Sequence, residues 1–226
     1  MSGLQCFATV LIISYFQLNN VISDDVNWDF NVFTQRWAPG ACADWLSLNE
    51  TASCYEVPTT YWSIHGLWPS STTGNHPAFC NDTPLNITEL VPITNQLVKQ
   101  WPTTRNYTSN FHDDCVFFWE HEWDKHGTCA LSTIFEYFNA SLELNVRYDV
   151  FRTLEGAGIV PEATRGYNYN DIFVVLLESF GKTPEIACTA GNLIHEVRIC
   201  LDKESSLIDC SNRQTNCDIT QDILYR

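Results

Sequence analysis

Apolar and polar residues alternate from the start of the region after residue 23. Trp28, Phe30 and Val32 fall on one side, and Asp29 and Asn31 on the other. Period two over residues 24–37 predicts a half-buried strand that ends at Ala38-Pro39-Gly40. Residues 41–60 read as a loop. A second strand follows over 61–69. Tyr61, Ser63 and His65 share one of its faces and Trp62 and Ile64 the other, until Gly66 and Pro69 stop it. A Ser/Thr/Gly/Pro-rich loop fills 70–84. The period then lengthens. Leu90, Ile93, Leu97 and Gln100 line up as one helical face over 88–100, with Thr88 as cap and Pro92 tolerated in the first turn. Residues 103–114 are polar and loop-like, and a helix over 118–126 stops at Gly127. Thr133 and Glu136 form a capping-box pattern ahead of a stripe made by Ile134, Phe135, Phe138 and Leu142. Helical spacing resumes through Tyr148, Phe151 and Leu154 to Gly156. Asn170 or Asp171 caps a helix over 172–180, with Gly181 at its C-terminal stop. Leu193, His195, Val197, Ile199 and Leu201 alternate as a strand, which Ser205-Ser206 turns back into 207–211. On that strand His195 reads as a hydrogen-bonded core histidine. Helices and strands mix without a βαβ rhythm. The expectation is an α+β fold, a central antiparallel sheet packed by helices, with residues 24–226 as a single domain.

The first 23 residues break the pattern. Residues 4–18 are mostly apolar, and no charged side chain precedes Asp24. Val21 and Ser23 suit a cleavage site, so residues 1–23 read as a signal peptide rather than a membrane span. No later run is long enough to cross a bilayer, so no membrane insertion is expected. A secreted chain changes how its ten cysteines are read. Cys6 leaves with the leader, and the remaining nine mostly pair in an oxidising compartment. Nine is odd, so one is free or bonds another chain. No CxxC spacing suggests a zinc–thiolate site. Asn49, Asn81, Asn86, Asn106 and Asn139 each open a glycosylation sequon.

Charge narrows the partners. Twelve basic against 27 acidic side chains leave a net −15. Such a surface repels polyanions at long range and argues against a DNA-binding protein with a broad electrostatic footprint, while leaving room for a local site that handles one phosphate.

The chemistry is concentrated in Phe117-Phe118-Trp119-Glu120-His121-Glu122-Trp123-Asp124-Lys125-His126-Gly127-Thr128-Cys129. Helical spacing pairs His121 with Lys125 and Glu122 with His126 on adjacent faces, so all four can point into one pocket. The two histidines are five apart rather than the four of a zinc-protease HExxH, so no metal is assigned. Two histidines from separate segments, with a lysine and a carboxylate, suit acid–base catalysis on a phosphodiester. A neutral imidazole takes the proton of an attacking hydroxyl, an imidazolium protonates the leaving oxygen, and the lysine offsets charge on the phosphate. RNA carries its own nucleophile in the 2′-OH, so no cofactor is required.

Ser63-Ile64-His65-Gly66-Leu67-Trp68-Pro69 and Phe118 to Cys129 together resemble the two active-site segments of the ribonuclease T2 family, in order and at a suitable distance. The resemblance extends over essentially the whole chain and suggests a secreted, acidic, animal-type member. Trp37-Ala38-Pro39 departs from the more usual Trp-Pro. The resemblance implies His65 as general acid on the leaving 5′-oxygen, His126 as base on the 2′-OH, His121 on the phosphate, and Glu122 with Lys125 stabilising the pentacoordinate transition state. It implies cleavage of single-stranded RNA through a 2′,3′-cyclic phosphate to a 3′-phosphate. Trp68 would stack on the base 5′ to the cut and Phe118 would meet the following base. Ser70 stands where some relatives carry an adenine-selecting aspartate, so no base preference is carried over. The family's cysteines imply Cys42–Cys54, Cys80–Cys129, Cys188–Cys217 and Cys200–Cys210, with Cys115 left over.

A receptor- or glycan-binding signalling role on the same scaffold would be favoured by a broken catalytic set, and here the set is intact. The two roles could coexist in a monomer that is extracellular or lies in a lysosomal or other acidic compartment. Carboxylates near a histidine favour its protonated form, so mild acid is expected to favour activity.

Overall fold

The computed structural model describes residues 28–48, 51–56, 59–130, 132–210 and 215–226. The leader expected at 1–23 and the sequon at Asn49 lie outside the described residues. Four strands form the body of an antiparallel sheet: β1 (Phe30–Arg36), β3 (Ser63–Ser70), β6 (Glu185–Cys188) and β7 (Ile194–Leu201), in the order β3-β1-β7-β6. A short β8 (Leu207–Ile208) pairs with β7. Two-residue strands make two further antiparallel pairs, β2 (Ser53–Cys54) with β4 (Arg105–Asn106), and β5 (Gly166–Tyr167) with β9 (Ile223–Leu224). Helices α1 (Ala38–Leu48), α2 (Thr94–Gln100), α3 (Phe111–Lys125), α4 (Ile134–Arg147), α5 (Val150–Gly156) and α6 (Tyr169–Phe180) complete the α+β architecture.

The first strand is shorter than its alternation suggests, and it is not half-buried. β1 lies inside the sheet, and both of its faces are covered. Phe33 enters the main core, while Val32 packs on the other side with Cys200 and Cys210. The segment after it is helical rather than loop. Pro39 sits in the first turn of α1, where a missing N–H costs nothing. Gly40 lets the helix close on β7, since a Cβ there would lie 2.1 Å from the Ile194 carbonyl oxygen.

Other boundaries move for similarly local reasons. Residues 88–100 split into a 3-10 turn, Ile87–Ile93, and α2. Asn86, not Thr88, is the cap, and its Oδ1 accepts from the Thr88 N–H at 3.2 Å. Helix α3 begins seven residues before the expected start. Asn110 caps it, and Asp113 and Asp114 in its first turn complement the helix dipole. Asn168, ahead of the expected caps, starts α6, and Gly181 (φ 68°) ends it. In α4 the capping box forms between Thr133 and Glu136. Tyr137, rather than Phe135, fills the core beneath it.

Disulfides join Cys42 to Cys54, Cys80 to Cys129, Cys188 to Cys217 and Cys200 to Cys210. The second ties the segment after β3 to the turn that follows α3. Cys115 is a free thiol with no exposed surface, so it cannot bond another chain. Burial raises its pKa, and the Thr103 N–H donates to its sulfur at 3.4 Å. Asn81 and Asn86 are exposed, and Asn106 and Asn139 are half-exposed. The amide nitrogen of Asn81, the atom a glycan would take, donates to the Thr128 carbonyl at 3.0 Å.

Candidate active site

His65 owes its position to a β-bulge. Along β1 and β3, Thr34 pairs with Gly66 and the next residue, Gln35, pairs with Ile64. His65 is therefore the extra residue of β3. A bulge re-aims one side chain and inverts the alternation beyond it. Ile64 and Leu67, three apart, accordingly both enter the main core. The His65 carbonyl, left out of the ladder, accepts from Trp101 Nε1 at 2.9 Å. The same device recurs on β7. Ala187 pairs with Glu196 and Cys188 with Ile194, which leaves His195 as the extra residue. His195 is thus no core histidine. It lines a cavity with Arg36, His65, Phe118, His121 and Glu122. The cavity holds about 180 Å³.

The orientation of His65 is fixed from behind. Its Nδ1 lies 2.5 Å from Glu196 Oε1, so Nε2 is the nitrogen presented forward, 3.8 Å from Glu122 Oε1. Glu196 is 2% exposed. Burial works against its charge, yet the neighbouring His65 and Arg198 hold the carboxyl far below the usual range. Arg198 donates to Glu196 Oε2 from Nε (2.9 Å) and Nη2 (2.6 Å), and its third nitrogen bonds the Glu185 carboxylate. Neither Glu196 nor Arg198 stood out in the sequence. Their only signal was a charged pair in the middle of a strand otherwise rich in apolar residues, next to a histidine.

Helix α3 supplies the other wall. His121 and Glu122 line the cavity directly, and Lys125 and His126 do not. The helix ends at Lys125. His126 still donates its N–H to the Glu122 carbonyl at 3.0 Å, but its φ of −118° takes it off the helical path. The indole of Trp68 contacts both histidine rings, with centroids 5.0 Å from His65 and 5.4 Å from His126. Its Nε1 donates to Glu122 Oε2 at 2.9 Å. Burial lowers the pKa of His126 to about 3, and the nearby Lys125, His65 and His121 push the same way. Those four groups therefore share one electrostatic neighbourhood although they come from two elements. Unlike His65, His126 has a buried Nδ1 with no hydrogen-bond partner among the described residues.

Phe118 closes the far side of the cavity. The Arg36 guanidinium lies 4.4 Å from its ring centroid, and Arg36 Nη2 donates to the Pro102 carbonyl at 2.5 Å. Burial lowers the Arg36 pKa to about 10, so it stays charged.

His65, His121 and Glu122 line one cavity, and His126 stands beside it against Trp68 with its imidazole pushed towards the neutral form, a set of residue types that can do acid–base chemistry. The chain is 35% identical over 219 residues to ribonuclease Oy of Magallana gigas, covering 88% of this chain and 96% of that one. It is 32% identical over 221 residues to the extracellular ribonuclease LE of Solanum lycopersicum, covering 92% and 91%. Among solved structures it resembles RNase NT in complex with 5′-AMP, with a TM-score of 0.75 and 29% identity over 88% of this chain and 98% of that one. It also resembles ribonuclease MC1 from bitter gourd seeds, with a TM-score of 0.73 and 27% identity over 88% and 100%. The model of the ribonuclease T2 family matches residues 28–210, both histidine segments and every strand of the main sheet included, and the chain belongs to that family of RNA-cleaving enzymes.

Proposed function

We propose that this chain cleaves single-stranded RNA without a metal, by transesterification to a 2′,3′-cyclic phosphate and slower hydrolysis to a 3′-phosphate. The observation that carries the reading is the fixed orientation of His65: Glu196 occupies Nδ1, and Nε2 faces the cavity beside Glu122. In the first step His126 takes the proton of the 2′-OH. The 2′-oxygen attacks phosphorus, and the bond from phosphorus to the 5′-oxygen breaks. His65 delivers a proton from Nε2 to the leaving oxygen. In the second step water replaces the leaving alcohol and the two proton transfers reverse. His121 holds the phosphate, and Lys125 offsets the charge that builds on its oxygens. Glu122, held by the Trp68 indole, fixes the positive groups around the reacting centre. Trp68 and Phe118 bracket the cleft and contact the bases on the 5′ and 3′ sides of the cut. We further assign the work to a secreted, glycosylated protein of the acidic animal type, with residues 1–23 removed as a leader. The leader pattern, the disulfides and the sequons support this.

His65→Ala and His126→Ala should each reduce cleavage of single-stranded RNA in EDTA by roughly 10²-fold or more, the usual contribution of a positioned acid or base. Mass analysis of the products should find cyclic phosphate ends. Full activity in either variant would sink the assignment, and activity lost in EDTA and restored by zinc would point to a metallohydrolase.

A further inference from the structure

A row of rings runs from the mouth of the cavity onto the surface. Phe117, the residue before Phe118 on α3, is 56% exposed, and Tyr107, just after β4, is 45% exposed. The two meet edge to face with centroids 5.5 Å apart. Tyr107 in turn packs edge-on against Trp45 of α1 at 5.3 Å. The Arg105 guanidinium covers Trp45 at 4.7 Å, and its Nη1 donates to the Tyr107 hydroxyl at 3.2 Å. Arg105, Tyr107 and Phe117 all border the cavity that holds His65, His121 and Phe118.

The arrangement is held from below. Buried Asp114 accepts from the N–H groups of Tyr107 (2.8 Å) and Thr108 (3.1 Å), and from the Tyr55 hydroxyl (2.7 Å). Single exposed aromatics are ordinary, but two in contact beside an arginine at the mouth of a cleft are not scatter. Exposed π faces with one cation are the composition of a stacking site for single-stranded nucleic acid. The chain carries 27 acidic against 12 basic side chains, so long-range attraction cannot hold the strand there, and stacking can.

We propose that Phe117 and Tyr107, with Arg105, form a stacking platform for the nucleotides of single-stranded RNA on the 3′ side of the cut, beyond the base that meets Phe118. The proposal rests on the ribonuclease reading above, and the 3′ direction follows from the adjacency of Phe117 to Phe118. The platform makes the enzyme sensitive to substrate length on one side of the scissile bond.

The test uses chimeric oligonucleotides with a single ribose at the cut and deoxyribose elsewhere, so that scission has one position. Asn106 opens a sequon beside Tyr107, so the protein is first trimmed with an endoglycosidase. kcat/KM is compared for a dinucleotide and for the same dinucleotide extended by about four nucleotides on the 3′ or the 5′ side. Stacking of one base predicts a 3′-extension advantage of roughly 5- to 150-fold. The double variant Phe117→Ala/Tyr107→Ala should lose most of that advantage while the effect of 5′ extension persists. The dinucleotide rate in the same protein reports that the variant is folded. No 3′ advantage in the native protein, or an advantage that survives the double substitution, overturns the platform. If the dinucleotide and its extensions all stay intact in the native protein, the ribonuclease reading itself fails and takes this proposal with it.

Discussion

At the scale of single residues, the two imidazoles are prepared in opposite ways. His65 is gripped at Nδ1 by a carboxylate that Arg198 keeps ionised. Replacing Glu196 by Gln removes the charge behind the ring and weakens its alignment. Glu196→Gln should therefore lower kcat by roughly 10- to 100-fold, part of what a positioned acid contributes, and leave KM within about twofold. A rise in KM at constant kcat would show that Glu196 serves binding instead. His126 is desolvated and surrounded by positive groups, which favours its neutral form down to about pH 3. Because its pKa is lowered, it remains able to accept a proton throughout mild acid. The acid limb of kcat/KM for a dinucleotide should accordingly lie near pH 3, well under the ordinary imidazole value of about 6.5. A fall beginning near pH 6.5, or an optimum above pH 8, would contradict this assignment.

At the scale of elements, the site exists because two strands each carry one residue too many. His65 on β3 and His195 on β7 are both bulge residues, and β1 runs between them. Gly66 follows the first bulge for a steric reason. A Cβ there would come within 2.2 Å of Glu122 Oε2 and 2.3 Å of Trp68 Nε1, inside the hydrogen bond that joins α3 to the strand. Gly66→Ala should cost about 1–3 kcal/mol of stability, lower Tm by several degrees in a thermal melt, and reduce kcat with it. A variant as stable and as active as the native protein would show that the Trp68–Glu122 contact is dispensable. Bulges also explain why alternation was a good guide to the existence of β3 and a poor guide to its faces. Period two places Ile64 and Leu67 on opposite sides, and the extra residue returns them to the same core.

At the scale of the whole molecule, the net −15 sets the terms of the encounter with RNA. The basic and imidazole groups that line the cleft are Arg36, Arg105, His65, His121 and His195, in a chain of strongly acidic balance. The slope of log kcat/KM against log salt concentration should be shallow, no steeper than about −1.5, as for one or two neutralised phosphates on a single strand. A slope beyond about −3 would require a basic footprint that the charge distribution does not offer. Affinity must then come from short-range stacking and hydrogen bonds, which suits a nuclease that meets unpaired chains.

The chain by itself determined the class of fold, the main helices and strands, and the density of ionisable groups in residues 117–129. These depend on local periodicity, capping and composition, which are written in neighbouring residues. Helix α1 escaped because Pro39 and Gly40 look like breakers until β7 is seen lying against them. The start of α3 escaped because Asp113 and Asp114 look like loop residues until one is found buried among Tyr107, Thr108 and Tyr55. Only the tertiary structure decided which nitrogen of His65 faces the cavity, that His195 joins it there, and that Glu196 and Arg198 stand behind. Those facts rest on strand register and on tertiary contacts such as His65 to Glu196, 131 positions apart in the chain.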